Sequence, residues 1–302
     1  MKKTIIIVLA VFFAIGIVFS PAPSNAADVK LGVTMMGDWY KPGYMGLVNE
    51  SEGKLFGSNT KQNLDGSFMM GPNLWAGFGN GWSLNFQMLF GLNKNTFEYS
   101  TFAADIVIPN PPFLRTYLDI GDVELWKMDA DVGVAKELHK YVSLLIGVRF
   151  SYDDGEADSF RLGLPGFDFK KEEFSNWSLG PSLGVGLHFE LYKNLVLGFG
   201  TSFIVQFGAF ETEKKFLDAF WFFLPYNYEV GHFDLGLDSY LKLSYYIEAA
   251  HLEVFVGGRY IFLGKIVAGD DGSVLDLSYK EGWITGKMDH FGGITFGAAY
   301  KF

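Results

Sequence analysis

The chain has 302 residues, of which 49% are apolar, 18% aromatic and 19% charged, and its formal charge is −10. Acidity without any clustered run of Lys or Arg excludes a nucleic-acid partner, because phosphate neutralisation needs such a run. The absence of cysteine excludes disulfides, thiolate catalysis and Cys-ligated metal together.

At the start of the chain, Lys2 and Lys3 precede an apolar run from Ile5 to Phe19, and PAPSNA follows with Ser24 and Ala26 at small-residue positions. This is the layout of a cleaved signal peptide over 1–26, since the run is short for a spanning helix and Pro21 and Pro23 end it. Removal of Lys2 and Lys3 takes away no acid, so the predicted mature segment, 27–302, carries a formal charge of −12. No later run of eighteen apolar residues occurs, so helical spans are excluded. An exported, aromatic-rich chain without them is either a secreted all-β domain or a transmembrane β-barrel.

Strict alternation decides between the two. WSLNFQMLFGLN sets Trp82, Leu84, Phe86, Met88, Phe90 and Leu92 on one face, against Ser83, Asn85, Gln87, Gly91 and Asn93 on the other. The pattern returns at 142–153, 175–190, 195–209 and 235–248. The second face is small rather than charged: inward Gly91, Gly147, Gly180, Gly184, Gly186, Gly198, Gly200 and Gly257 suit the inside of a tightly curved barrel, and the long apolar rows suit lipid. In chain order the segments are 28–37, 67–79, 82–97, 117–136, 142–153, 175–190, 195–209, 235–248, 252–264 and 288–302. The fold class is therefore all-β: a transmembrane antiparallel up-and-down barrel of ten strands, with eight to twelve compatible. Parity slips near Gly121 and Asp122, which reads as a bulge.

Connections alternate in length. Asn80-Gly81 is the strongest hairpin signal, because both residues tolerate positive φ. Tight turns also fall near His139-Lys140, at Tyr192-Lys193-Asn194 and at Ala249-Ala250-His251, and the other connections are long. Outer-membrane barrels keep short turns on the periplasmic side and long loops outside. Trp82, Trp126, Tyr141, Tyr152, Trp177, Tyr192, Tyr260 and Tyr300 are candidates for the interfacial girdles.

The chain stops on TFGAAYKF, residues 295–302. A barrel must pair its last strand with its first so that no backbone group is left unbonded in lipid. Thr295, Gly297, Tyr300 and Phe302 match polar-x-Gly-x-x-aromatic-x-aromatic, which resembles the C-terminal assembly signal of bacterial outer-membrane β-barrel proteins. The resemblance implies residence in the cell outer membrane among outer-membrane lipid, with the barrel-assembly machinery as a partner. No subfamily is matched.

Inward parity collects a mixed charged set: Lys127, Asp129, Asp131, Arg149, Asp238, Lys242, Glu248, Glu253 and Arg259, with His188 and Glu190. In a narrow barrel these groups approach one another closely enough to pair. Pairing alone gives a filled lumen; the inward glycines leave volume for water and a path for small solutes. Two connections are greasy for segments facing water. FLDAFWFFLPYNY, 216–228, holds Phe216, Phe220, Trp221, Phe222 and Phe223, and FAADIVIPNPPFLRTY, 102–117, adds a second stretch. Such patches either pack on each other or contact a hydrophobic ligand or surface.

Chemistry is sparse. His232 and Asp234 in GHFDLG, set against Asp119 and Asp122 in YLDIGDVE, resemble the omptins, outer-membrane proteases similar in strand number that oppose an Asp-His pair with an Asp pair. The order here is His-x-Asp, the reverse of the family's, and its flanking motifs are missing. His290 falls on the lipid-facing side, and the five histidines show no metal spacing. No catalytic residue, metal or cofactor is expected. The leading functional expectation is a small porin or channel-like barrel passing or binding small solutes. The alternative is a structural or surface-contact barrel with a closed lumen, and the third is a barrel enzyme, omptin-like or lipid A-modifying.

Overall fold

The computed structural model describes residues 28–41, 58–62, 67–107, 113–163, 166–216, 226–267 and 288–302. The leader read at 1–26 lies outside them. The described strands are β1 (Val29–Lys41), β2 (Ser58–Gln62), β3 (Ser67–Gly79), β4 (Trp82–Gly91), β5 (Asn95–Val107), β6 (Phe113–His139), β7 (Val142–Gly163), β8 (Gly166–Tyr192), β9 (Leu195–Phe216), β10 (Tyr226–Ile247), β11 (Leu252–Val267) and β12 (Met288–Lys301). Ten of them close an antiparallel up-and-down barrel in the order β1-β3-β4-β6-β7-β8-β9-β10-β11-β12, with β12 returning to β1. β5 pairs with the upper part of β6, and the short β2 pairs with β5.

Closure runs to the last residue. β12 pairs with β11 on one side and β1 on the other, and the Phe302 N–H donates to the Val29 carbonyl at 2.9 Å. The tight turns lie at the same end as both described termini. Asn80 and Gly81 both take positive φ, 51° and 73°, as a type I′ hairpin requires.

The outward face carries the apolar rows. Leu183, Phe203, Phe207, Leu241, Val256 and Ile294 are exposed, Ile294 at 66%, with no protein to cover them. Tyr141, in the turn before β7, and Tyr152, on it, bound this band; eleven steps of about 3.3 Å tilted by about 40° give roughly 28 Å, the height of a bilayer's apolar layer.

The strands continue well past the band, and this overturns two expectations. β6 and β8 each run 27 residues, far more than the nine to eleven or so a tilted strand needs to span lipid. The stretch 102–117, expected as an apolar loop, is instead largely the β5–β6 hairpin. Nor is there a bulge at Gly121-Asp122: the β6–β7 register runs unbroken from Tyr117 to Glu137, and the irregularities sit at Gly77/Gly79, Glu137/His139 and Glu190/Tyr192. The parity slip has another cause. Below Trp126 the outer face meets lipid and is greasy; above it the outer face meets water, and Asp122 and Glu124 point out while Leu125 is buried inside. The change is one of solvent rather than of backbone. Outside, Lys94 binds Glu124 at 2.7 Å and Lys171 binds Glu156 at 3.4 Å.

Candidate functional site

Inward side chains fall into three tiers. In the middle, Asp129 (β6), Arg149 (β7), Asp238 (β10) and Arg259 (β11) form a septum. Arg149 donates to Asp238 at 2.8 Å and to Asp129, and Arg259 donates through Nε to both Asp238 oxygens at 3.1 Å and through a terminal nitrogen to Asp129 at 3.3 Å. All four are buried. They meet because register sets Asp131 opposite Arg149, and Asp129 two positions further along the same face. Apolar side chains fill the same cross-section: Met36, Met69, Leu89, Ile204, Ile261 and Phe291 are each at most 2% exposed. Each such burial contributes about 1.5–3 kcal/mol.

Above the septum lies a buried polar chain. The Lys127 ammonium donates to Asp153 at 2.9 Å and stands 4.1 Å from the centre of the Tyr40 ring, whose hydroxyl donates to the same carboxylate at 2.8 Å. Asn176 donates to Asp153 at 3.3 Å, and its carbonyl oxygen lies 2.8 Å from His232 Nε2. His232 Nδ1 lies 2.8 Å from Asp234, and Lys265 bridges Asp234 and Asp289 at 2.9 and 3.0 Å. Satisfied in this way, ionic groups tolerate burial that would otherwise cost several kcal/mol each.

Below the septum the lumen opens. Glu253 takes Lys30 at 2.5 Å and Lys242 at 3.1 Å, and Lys242 stands over the Phe255 ring at 4.8 Å. Between this triad and the septum several inward residues are only partly buried: Asn73, Gln87, Asp131, Ser182, Ser202 and Thr295 are intermediate, and Tyr240 is 38% exposed. Because Tyr240 points inward, that exposure is to the lumen.

Eight of the expected lumen charges therefore lie inside: Lys127, Asp129, Asp131, Arg149, Asp238, Lys242, Glu253 and Arg259. Glu248 does not. It sits on the exposed 3₁₀ turn Glu248–Ala250, where the inward alternation has ended with β10. Its carboxyl is held below the usual range by a hydrogen bond from Asn194 at 2.8 Å and by Lys193. His188 is inward and half-buried near the lower rim, and Glu190 is exposed there. Thr295 and Gly297 face in, and Tyr300 and Phe302 are exposed on the outside. Phe216 ends β9, while Phe220, Trp221, Phe222 and Phe223 lie outside the described residues.

Sequence reading did not place Tyr40, Asp153, Asn176, Lys265 and Asp289 in the lumen, and it weighed His232 and Asp234 only as an omptin-like pair. A signal was present, since all of them keep the inward parity of their strands, but most stand at or beyond the segment ends chosen by the apolar rows. Of the omptin-like grouping the His232–Asp234 pair forms, at 2.8 Å, with Asn176 on the other ring nitrogen, but Asp122 is exposed on the outer face and does not oppose it. His290 is outward and takes part in a 2.7 Å hydrogen bond with the Tyr260 hydroxyl. Among the described residues no three His, Asp or Glu side chains stand together as metal ligands.

The fold is that of a bacterial outer-membrane β-barrel. No family model matches the chain, and no curated protein does. Among solved structures, the outer membrane protease OmpT from Escherichia coli aligns at 14% identity over 93% of this chain and 98% of its own, with a TM-score of 0.57. The toluene transporter TbuX from Ralstonia pickettii aligns at 9% over 92% and 90%, with a TM-score of 0.35, and the monoaromatic hydrocarbon channel TodX at 10% over 93% and 90%, also at 0.35. At such identities the likeness is one of fold.

Proposed function

We propose that this protein is a closed-lumen, non-enzymatic barrel of the outer membrane that works by presenting its extended upper strands at the cell surface rather than by passing solutes. One observation carries the reading: a complete cross-section of the described lumen is buried, from Met36 and Leu89 through Asp129, Arg149 and Ile204 to Asp238, Arg259 and Phe291. Water has no route past side chains that are close-packed and paired. The length of the strands supports the surface role. From Trp126 to its start at Phe113, β6 rises about 30 Å above the girdle, ringed outside by Lys94, Glu124, Glu156 and Lys171. The exposure of Asp122 on the outer face, away from the His232–Asp234 pair, supports the non-enzymatic reading.

Reconstitution in planar bilayers tests it. The mature protein is expected to insert and stay electrically silent, and a stable unitary conductance would refute the closed lumen.

A further inference from the structure

The open tier below the septum plays no part in that reading, and one of its carboxylates is left without a partner. Three carboxylates, Asp129, Asp131 and Asp238, meet two guanidiniums, Arg149 and Arg259. Asp129 and Asp238 take all the guanidinium hydrogen bonds. Asp131 feels the charges of both arginines and of both aspartates, yet it has no hydrogen-bond or ion-pair partner among the described residues. Even the buried Arg149 Nε, itself without a partner, does not reach it. Asp131 is also partly exposed, and as an inward residue it opens onto the vestibule.

The residues around it fit one kind of occupant. Tyr240, also inward, lies within reach of the Asp131 charge; its ring lies across Gly200 on β9, where a Cβ would come within 2.3 Å of a ring carbon. Gln87 sits directly across from Asp131 on β4, and Ser182, Ser202 and Thr295 are further partly buried inward oxygens of the same tier. Nearer the mouth, Lys30 and Lys242 share the single Glu253, which makes septum and tier neutral in sum, but neither lysine stands within ion-pair distance of Asp131.

We propose that Asp131 and Tyr240 form a binding site, entered from the short-turn end, for a small solute carrying a primary ammonium group. The unpartnered carboxylate pairs with the ammonium, and the Tyr240 face adds a cation–π contact. Gln87 accepts a further N–H bond through its side-chain oxygen. A divalent metal fits poorly, because it needs several hard oxygen donors and the neighbouring carboxylates are already saturated by arginine.

Isothermal titration of the detergent-solubilised mature protein with ethanolammonium chloride tests this, with ethylene glycol as the uncharged comparator. Saturable binding is expected for the ammonium and none for the glycol. Asp131→Asn is expected to weaken binding by at least about ten-fold, and Tyr240→Leu by about three- to ten-fold. Heat-modifiable gel mobility first establishes that each variant is folded. No saturable binding by the parent, or unchanged affinity in folded Asp131→Asn, overturns the site. Should Asp131→Asn fail to fold, Tyr240→Leu decides alone, and parental affinity there overturns it. Conductance is read separately, so an occupied vestibule under a silent septum and a leaking septum are distinct results.

Discussion

Asp238→Ala tests the septum most directly. The Asp238 carboxylate accepts from Arg149 at 2.8 Å and from Arg259 Nε at 3.1 Å, and all three residues are buried. Truncation leaves two buried guanidiniums to share Asp129. Removing one partner of a buried, hydrogen-bonded ion pair costs about 3–5 kcal/mol, most of it from the charge left uncompensated. For a chain of this size each kcal/mol moves the unfolding midpoint by about 2–4 °C, so a fall on the order of 10 °C is expected. The assay is the temperature at which the folded, fast-migrating gel band converts to the unfolded one, read for parent and variant in the same detergent. A companion variant, Asp238→Leu with Arg259→Met, removes the pair together and is expected to recover part of the loss, since well-packed apolar replacements of buried pairs are often nearly neutral. A single variant converting within about 2 °C of the parent would refute the septum's role, as would a double variant no better than the single.

Two further outcomes follow from other parts of the molecule. Changing Phe302 to Ser is expected to lower the yield of folded barrel in the outer membrane and leave unfolded chain in the periplasm, given the likeness of its last strand to an assembly signal; cell fractionation with an unchanged membrane yield would count against recognition of that strand. Asp154, on the outer face just above the Tyr152 girdle, has its carboxyl pushed up by partial burial and by Glu156 and Glu173. A carboxyl that holds its proton more tightly when folded favours the fold below the usual carboxylate range and loses that advantage as pH rises through its raised value. Asp154→Asn is therefore expected to be more stable than the parent at neutral pH, with the gap closing toward acid; an equal gap at both pH values in thermal unfolding would exclude this account.

By itself the sequence determined the barrel. A two-residue rhythm leaves no choice about which side chains meet lipid, because a slip of one residue would turn Leu179, Leu183 and Val185 into the lumen and Ser178, Ser182 and Gly184 into the bilayer. The Asn80-Gly81 turn and the inward positions of Asp129, Arg149 and Asp238 were legible for the same local reason. Strand length was not, since beyond Trp126 the solvent outside changes from lipid to water and the pattern that marked the strand reverses. Glu248 was misplaced inside because alternation does not announce where a turn begins. Only the tertiary structure decided which inward charges share a level across the barrel, because that depends on the register and tilt of all ten strands at once. The pairing of Arg149 with Asp238, 89 residues away, and the solitude of Asp131 two positions below Asp129 are properties of closure, and no single strand carries them.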